Sequence, residues 1–221
     1  MAMMKSHPVS PLVYTDEEWL YTCNIVPGVK VYTEKLIEEK GVEYRSWNPY
    51  RSKLASGIFN GLQTFPFTEK SVVLYLGAAS GTTASHVSDI CSQGIVFCVE
   101  LSPRTGRELI FTCESRKNMI PIIKDASHPE QYTDVITQVD IIYQDIAQVN
   151  QSEILKRNLI FLKEGGHAFI CIKARSIDVT AEPKIVFKKE LKYLKTFLEL
   201  EERIPLEPYE RDHLMIVGRK K

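Results

Sequence analysis

Residues 72–90 read VVLYLGAASGTTASHVSDI, an apolar run closed by a glycine, a second glycine four positions later, and then a polar stretch of helical character. A short apolar run bounded by turn residues predicts a buried strand over 72–76. At a strand-to-helix turn, residues without a large side chain let the chain reverse and bring its backbone close to a ligand. Gly77 and Gly81, with Ala79 between them, are therefore candidates for a cofactor loop. The spacing is G-x-x-x-G and not the dinucleotide G-x-G-x-x-G, and the second glycine is followed by threonine where a phosphate-binding P-loop needs lysine. Nicotinamide dinucleotides and ATP are disfavoured accordingly.

Working outward, apolar runs at 95–99, 120–123, 139–143 and 168–172 alternate with helix-like segments. These begin near Arg104, in a short piece before Val139, and over 152–162. Such βαβα order implies a parallel sheet with helices on both faces. A charged helix after Glu182-Pro183 and strands near 200–204 and 214–218 follow; the last two share only the connection LEPYERDH and are expected to form an antiparallel hairpin at the sheet edge. Upstream, short alternating stretches between Leu12 and Tyr44, broken at Pro27-Gly28 and Lys40-Gly41, predict β-hairpins, VKVYTEKLI among them. The expected division is a small β-rich subdomain over 1–46 and one α/β domain over 47–221. Asn48-Pro49 signals a helix start, with Leu54, Ile58, Phe59 and Leu62 at helical spacing.

Acidic residues mark the ends of the successive strands. Glu100 lies nineteen positions after Gly81, where a carboxylate can accept from two ribose hydroxyls. Asp125 follows the third strand and suits an adenine amino group; Asp145 follows the fourth. Each taken singly reads equally well as a helix cap or a loop residue. Together they converge on the crevice where open α/β sheets bind ligands, which points to a nucleoside cofactor and favours a methyltransferase over a dehydrogenase.

The 28 basic and 28 acidic residues cancel, so no overall positive field draws the chain onto nucleic acid. The five cysteines are scattered and show no zinc-ligand spacing, as expected in a reducing compartment. No signal-like or membrane-spanning apolar run is present, and a soluble intracellular protein is expected. His86, His128 and His167 read as structural or exposed, and no metal is required.

YRSWNPYRSKLA, VLYLGAASGTTASHVSDI, DIAQ, IKARSIDVT and LEPYERDH occur in an order and spacing that resemble the fibrillarins, from about Tyr44 to Lys221. That resemblance implies a seven-stranded Rossmann-like fold that binds S-adenosyl-L-methionine. It implies ribose 2'-O-methylation of rRNA, and of tRNA in some members, at sites chosen by box C/D guide RNA. It further implies two protein partners, a Nop-family scaffold and a kink-turn-binding protein. Cofactor contacts are expected from Gly77, Ala79, Gly81, Thr82 and Thr83; from Glu100, Leu101, Asp125 and Ala126; and from Asp145, Ile146, Ala147 and Gln148. Ile146 stands where the family usually has valine, and Gln144 where relatives often carry a smaller or acidic residue. KARSIDVTAEP resembles the archaeal form and no Gly/Arg-rich tract is seen, so a cytoplasmic archaeal protein is expected, nucleolar if eukaryotic.

The family's Lys-Asp-Lys-His set maps to Lys53, Asp145, Lys173 and His213. In-line methyl transfer to an alcohol needs aligned reactants and a path for the hydroxyl proton. Asp145, a carboxylate between two ammonium groups, is expected to orient Lys173, with Lys173 as the base and Lys53 steering the hydroxyl or phosphate. Arg45, Arg51, Lys53, Lys173, Arg175 and Arg211 are candidates for an RNA-facing rim. The rival readings are a protein glutamine methyltransferase, an NAD-dependent oxidoreductase and a non-catalytic assembly subunit.

Overall fold

The computed structural model describes residues 3–221. Five short strands, β1 (Lys5–His7), β2 (Ser10–Thr15), β3 (Leu20–Cys23), β4 (Leu36–Glu39) and β5 (Val42–Trp47), form an antiparallel sheet in the order β1-β2-β3-β5-β4. The expected strand at VKVY is absent. There the Glu34 carboxylate accepts from the backbone N–H groups of Val31 and Tyr32, folding the segment into a turn. The next helix also starts later than Asn48-Pro49 suggested. Asn48 closes a turn through its side-chain oxygen to the Tyr50 N–H, and Ser52 caps α1 (Lys53–Phe59) by accepting from the Ala55 N–H.

The main sheet is built from β6 (Val72–Leu76), α2 (Thr82–Ile90), β7 (Ile95–Glu100), α3 (Pro103–Glu114), β8 (Met119–Ile123), β9 (Val139–Gln144), α4 (Gln151–Asn158), β10 (Leu162–Lys173), α5 (Ala174–Ile177), α6 (Pro183–Leu194), β11 (Leu198–Pro205) and β12 (His213–Lys220). Its order is β11-β12-β10-β9-β6-β7-β8. The five strands from β8 to β10 run parallel, and β12 is antiparallel to both β10 and β11, as expected of the last hairpin. α4 stops at Asn158 and β10 begins at Leu162, earlier than the apolar run at 168 indicated. The strand passes through Gly166, where a Cβ would lie 2.9 Å from the Asp140 carbonyl oxygen.

One face of the sheet packs on α1, α2 and the N-terminal sheet through Val13, Leu20, Trp47, Leu54, Val87 and Tyr143. The other packs on α4 and α6 through Ile142, Ile154, Leu155, Ile170 and Leu194. Strand order departs in both directions from β6, outward to β7 and β8 and then back to β9 and β10, so a crevice opens at the C-terminal ends of β6 and β9.

Candidate active site

That crevice is a cleft of about 370 Å³. Gly77 and Ala79 from the loop after β6, Glu100 and Leu101 after β7, and Asp125 and Ala126 after β8 line it. Asp145, Ile146, Ala147 and Gln148 after β9, and Lys173 at the end of β10, complete the wall. Val99, Ser102 and Lys124 also line it, and sequence reading did not single them out. Gly81, Thr82 and Thr83 stand outside the lining. Gly81 caps α2 at φ +93°, and the buried Thr83 hydroxyl donates to Ser52 Oγ at 3.0 Å, tying α2 to α1.

Gly77 has a more demanding reason to be glycine than ligand approach. Its φ is +81°, and a Cβ would stand 2.7 Å from the Asp145 carbonyl oxygen. The loop thus fixes the backbone of Asp145, whose N–H donates to Leu76 at 2.9 Å. Glu100 braces the opposite wall, accepting from the Ala79 and Ser102 N–H groups at 2.8 Å each and from the Thr105 hydroxyl at 3.0 Å. At Asp125 burial pushes the carboxyl up, but hydrogen bonds from Ser127 and Gln148 outweigh it and hold it below the ordinary range.

At one end of the cleft Asp145 lies between two lysines. Lys53 Nζ is 3.3 Å from Asp145 Oδ2, and Lys173 Nζ is 2.8 Å from Oδ1. Lys173 directs its hydrogen bond to the Asp145 carbonyl at 3.1 Å, so buried Oδ1 accepts no directed hydrogen bond among the described residues. Burial alone would lower the Lys53 pKa; the charges of Asp145 and Glu210 overcome it and hold the ammonium above its usual range. Beneath Asp145, burial pushes the Cys171 thiol up to about 12 and the Tyr75 and Tyr143 phenols well above their ordinary value. The floor is therefore neutral, and low polarity strengthens the lysine–aspartate interactions above it.

Two further groups complete the cluster. Glu210 Oε1 is 3.3 Å from Lys53 Nζ. Gln151 accepts from the Lys173 N–H at 3.0 Å and accepts at its own carbonyl from the buried Gln144 side chain at 2.8 Å, which gives Gln144 its place. LEPYERDH held the only hint of Glu210, since Lys53 lies far away along the chain. His213 pairs with Lys173 across the β10–β12 ladder and its Nδ1 lies 2.6 Å from the Arg211 carbonyl; among the described residues no hydrogen bond or ion pair joins it to Lys53, Asp145 or Lys173. Arg45 leaves the expected RNA rim altogether: it is fully buried and paired with Glu34 and Asp89.

A parallel sheet that reverses at β6, with acids at successive strand ends, has the fold of the S-adenosylmethionine-dependent methyltransferases. One from Aquifex aeolicus superimposes at a TM-score of 0.55 and 11% identity over 70% of this chain and 85% of its own. The fibrillarin family profile matches residues 4–221, and the chain belongs to that family. A fibrillarin-like rRNA/tRNA 2'-O-methyltransferase of Thermococcus onnurineus is 54% identical over 213 residues, 94% of each chain. The structure of Aeropyrum pernix fibrillarin with natively bound S-adenosyl-L-methionine is 44% identical with a TM-score of 0.90, covering 98% of this chain and 97% of that one. A fibrillarin/Nop5p complex supplies a third match, 43% identical with a TM-score of 0.89 over 95% and 98%.

Proposed function

We propose that this chain methylates ribose 2'-hydroxyls of rRNA and tRNA with S-adenosylmethionine as the methyl donor, as the catalytic subunit of a box C/D guide ribonucleoprotein in the cytoplasm. The observation that carries the reading is Asp145 held between Lys53 and Lys173 at the end of a nucleoside-sized cleft. The names of its relatives, the cofactor bound by the Aeropyrum protein and the Nop5p complex support it. Zero net charge suits an enzyme whose substrate is delivered by a guide RNA, a Nop-family scaffold and a kink-turn-binding protein.

The residues fit the cofactor. Glu100 suits ribose hydroxyls and Asp125 an exocyclic amine, while Val99, Ala126 and Ile146 offer apolar surface to a base. When bound, S-adenosylmethionine supplies a methyl group on a sulfonium, open to in-line displacement. Asp145, with Oδ1 buried against the Lys173 ammonium at 2.8 Å and Oδ2 3.3 Å from Lys53, holds both lysines at the cleft end, where they orient the substrate oxygen. Lys53, held charged by its two carboxylates, lowers the cost of negative charge on that oxygen and cannot serve as the base. Lys173, fixed through Gln151 and paired with Asp145 at 2.8 Å, takes the proton after passing one of its own to solvent.

A reconstituted assay tests the reading. The chain alone should bind S-adenosylmethionine yet methylate RNA poorly until guide RNA and both proteins are added. Efficient site-selective methylation by the chain alone contradicts the guide-dependent role, and labelling of a protein glutamine in place of RNA contradicts the substrate.

A further inference from the structure

β10 outruns its parallel neighbour. The last pair it makes with β9 joins Ile170 to Gln144, and Lys173 lies beyond it. On the other side β12 still holds the strand: Lys173 pairs with His213, and the Ala174 N–H donates to the Asp212 carbonyl at 3.1 Å. Backbone groups along a strand face its two neighbours alternately, so the N–H and C=O of Lys173 point to the side where β9 has ended. Left unpaired there, they would leave this residue free to turn.

Gln151, the first residue of α4, fills the place. Its Oε1 accepts from the Lys173 N–H at 3.0 Å, and its Nε2 donates to the Lys173 carbonyl at 3.4 Å. A carboxamide offers a carbonyl acceptor and an N–H donor as a peptide group does, so the side chain stands in for a strand residue. Gln151 is fully buried, and its own carbonyl accepts from the Gln144 side chain at 2.8 Å, which pins the head of α4 to the end of β9. The segment between these two glutamines carries Asp145, Ile146, Ala147 and Gln148, so the wall of the cleft and Lys173 are fixed to each other through one side chain.

α4 is held in place without this contact. Ile154 and Leu155 are fully buried in the core, the Ser152 hydroxyl donates to Glu190 of α6, and Asn158 donates to the Ala126 carbonyl at 2.8 Å. What the carboxamide fixes is Lys173, whose Nζ meets Asp145 Oδ1 at 2.8 Å and the Asp145 carbonyl at 3.1 Å from the end of a flexible stem. An ammonium so mounted keeps its aim only if its backbone does, and a displacement of ~1 Å costs on the order of 10²-fold in rate.

We propose that Gln151 is a positioning residue for methyl transfer: its carboxamide completes the end of β10 and holds the Lys173 ammonium against Asp145 at the cleft. Gln151 stands outside the cleft lining and acts through Lys173. Its role rests on the RNA-methylating function given above and on the part Lys173 plays in it.

The test is a double-mutant cycle in the assembled guide ribonucleoprotein, with Gln151→Met, Lys173→Ala and the two combined. Methionine matches glutamine in length and removes both hydrogen bonds. Gln151→Met should lower kcat by roughly 10- to 10²-fold, with KM for RNA and S-adenosylmethionine affinity unchanged. In the Lys173→Ala background the same substitution should cost less than about twofold, because the group it positions is gone. Ser152→Ala, which loosens α4 from α6 and leaves the carboxamide in place, should lower the melting temperature and keep kcat. Equal losses from Gln151→Met with and without Lys173 overturn the proposal, as does an unchanged kcat, or a loss in Ser152→Ala as large as in Gln151→Met. Should Gln151→Met fail to bind S-adenosylmethionine, Gln151→Asn, which keeps an amide too short to reach Lys173, replaces it in the cycle. Loss of cofactor binding in that variant as well assigns Gln151 to the fold and overturns the proposal. A Lys173→Ala enzyme as active as wild type, or a wild type that methylates no RNA, instead overturns the function beneath it.

Discussion

Two carboxylates in this molecule each lie between two cations, and the contrast between them separates structure from chemistry. Asp89 in α2 meets Arg45 at 2.7 Å and Arg116 at 2.6 Å, and all three side chains have zero exposure. Its remaining capacity is taken by the Thr22 hydroxyl at 2.7 Å and the Ile25 N–H at 3.3 Å. Asp145 meets two lysines, keeps 15% of its side chain exposed, and has one oxygen without a directed hydrogen bond. Arginine forks give fixed geometry and cannot release a proton, whereas a lysine is a mobile point charge that can. The saturated, buried cluster fastens the N-terminal sheet to α2. Its partly wet counterpart places Asp145 and Lys173 in the wall of the cleft.

Paired alanine substitutions put this contrast to its hardest test. Asp145→Ala should lower guided methylation by about 10³-fold, within the range for removal of a proton-handling group, and lower the melting temperature less than Asp89→Ala does, because Lys53 keeps Glu210 and both ammoniums keep some exposure. Asp89→Ala should act chiefly on stability. It strands two buried guanidiniums at a cost of about 3–5 kcal/mol, which for a domain of this size lowers the melting temperature by roughly 10 °C. The contrast breaks if Asp145→Ala unfolds the protein or Asp89→Ala melts normally.

The two lysines should separate next. Lys173→Arg, which keeps the charge but cannot act as a base, should lose about 10²-fold in rate, whereas Lys53→Arg should keep most of the activity. A pH–rate profile of Lys173→Arg that matches wild type removes Lys173 from the proton path.

His86 sharpens the structural side. It is fully buried, stacks on Trp47 with centroids 4.9 Å apart, and lies 2.7 Å from both the Thr22 and Tyr32 hydroxyls. Burial, with Arg45 and Arg116 nearby, holds its pKa well below the ordinary value. The folded state therefore favours neutral imidazole, and the stability this gives is complete above the unfolded value near 6.5 and lost as pH falls below it. Denaturant titrations should show a loss approaching about 1.4 kcal/mol per pH unit from this group, and a His86→Gln variant should flatten that slope. The smallest effect is expected at Glu210→Gln. Removing the second carboxylate from Lys53 should change kcat a few-fold, about as much as one partly exposed ion pair contributes, with no change in cofactor affinity.

Sequence alone settled the succession of strands and helices along the main domain and placed acids at the strand ends, because an apolar run closed by glycine has few alternatives once βα alternation is recognised. VVLYLGAASG and the strand-end residues Glu100, Asp125 and Asp145 were legible for that reason, and family motifs added Lys53 and Lys173. Which charges meet was not legible. Arg45 and Arg51 look alike in sequence, yet one is sealed beneath the N-terminal sheet and the other faces solvent. Glu210 reaches Lys53, and Gly77 makes room for the Asp145 backbone, through contacts between segments far apart along the chain. Local pattern reports periodicity and turn chemistry. Burial, the saturation of each carboxylate and the partner of each ammonium exist only once the sheet has brought its strand ends together.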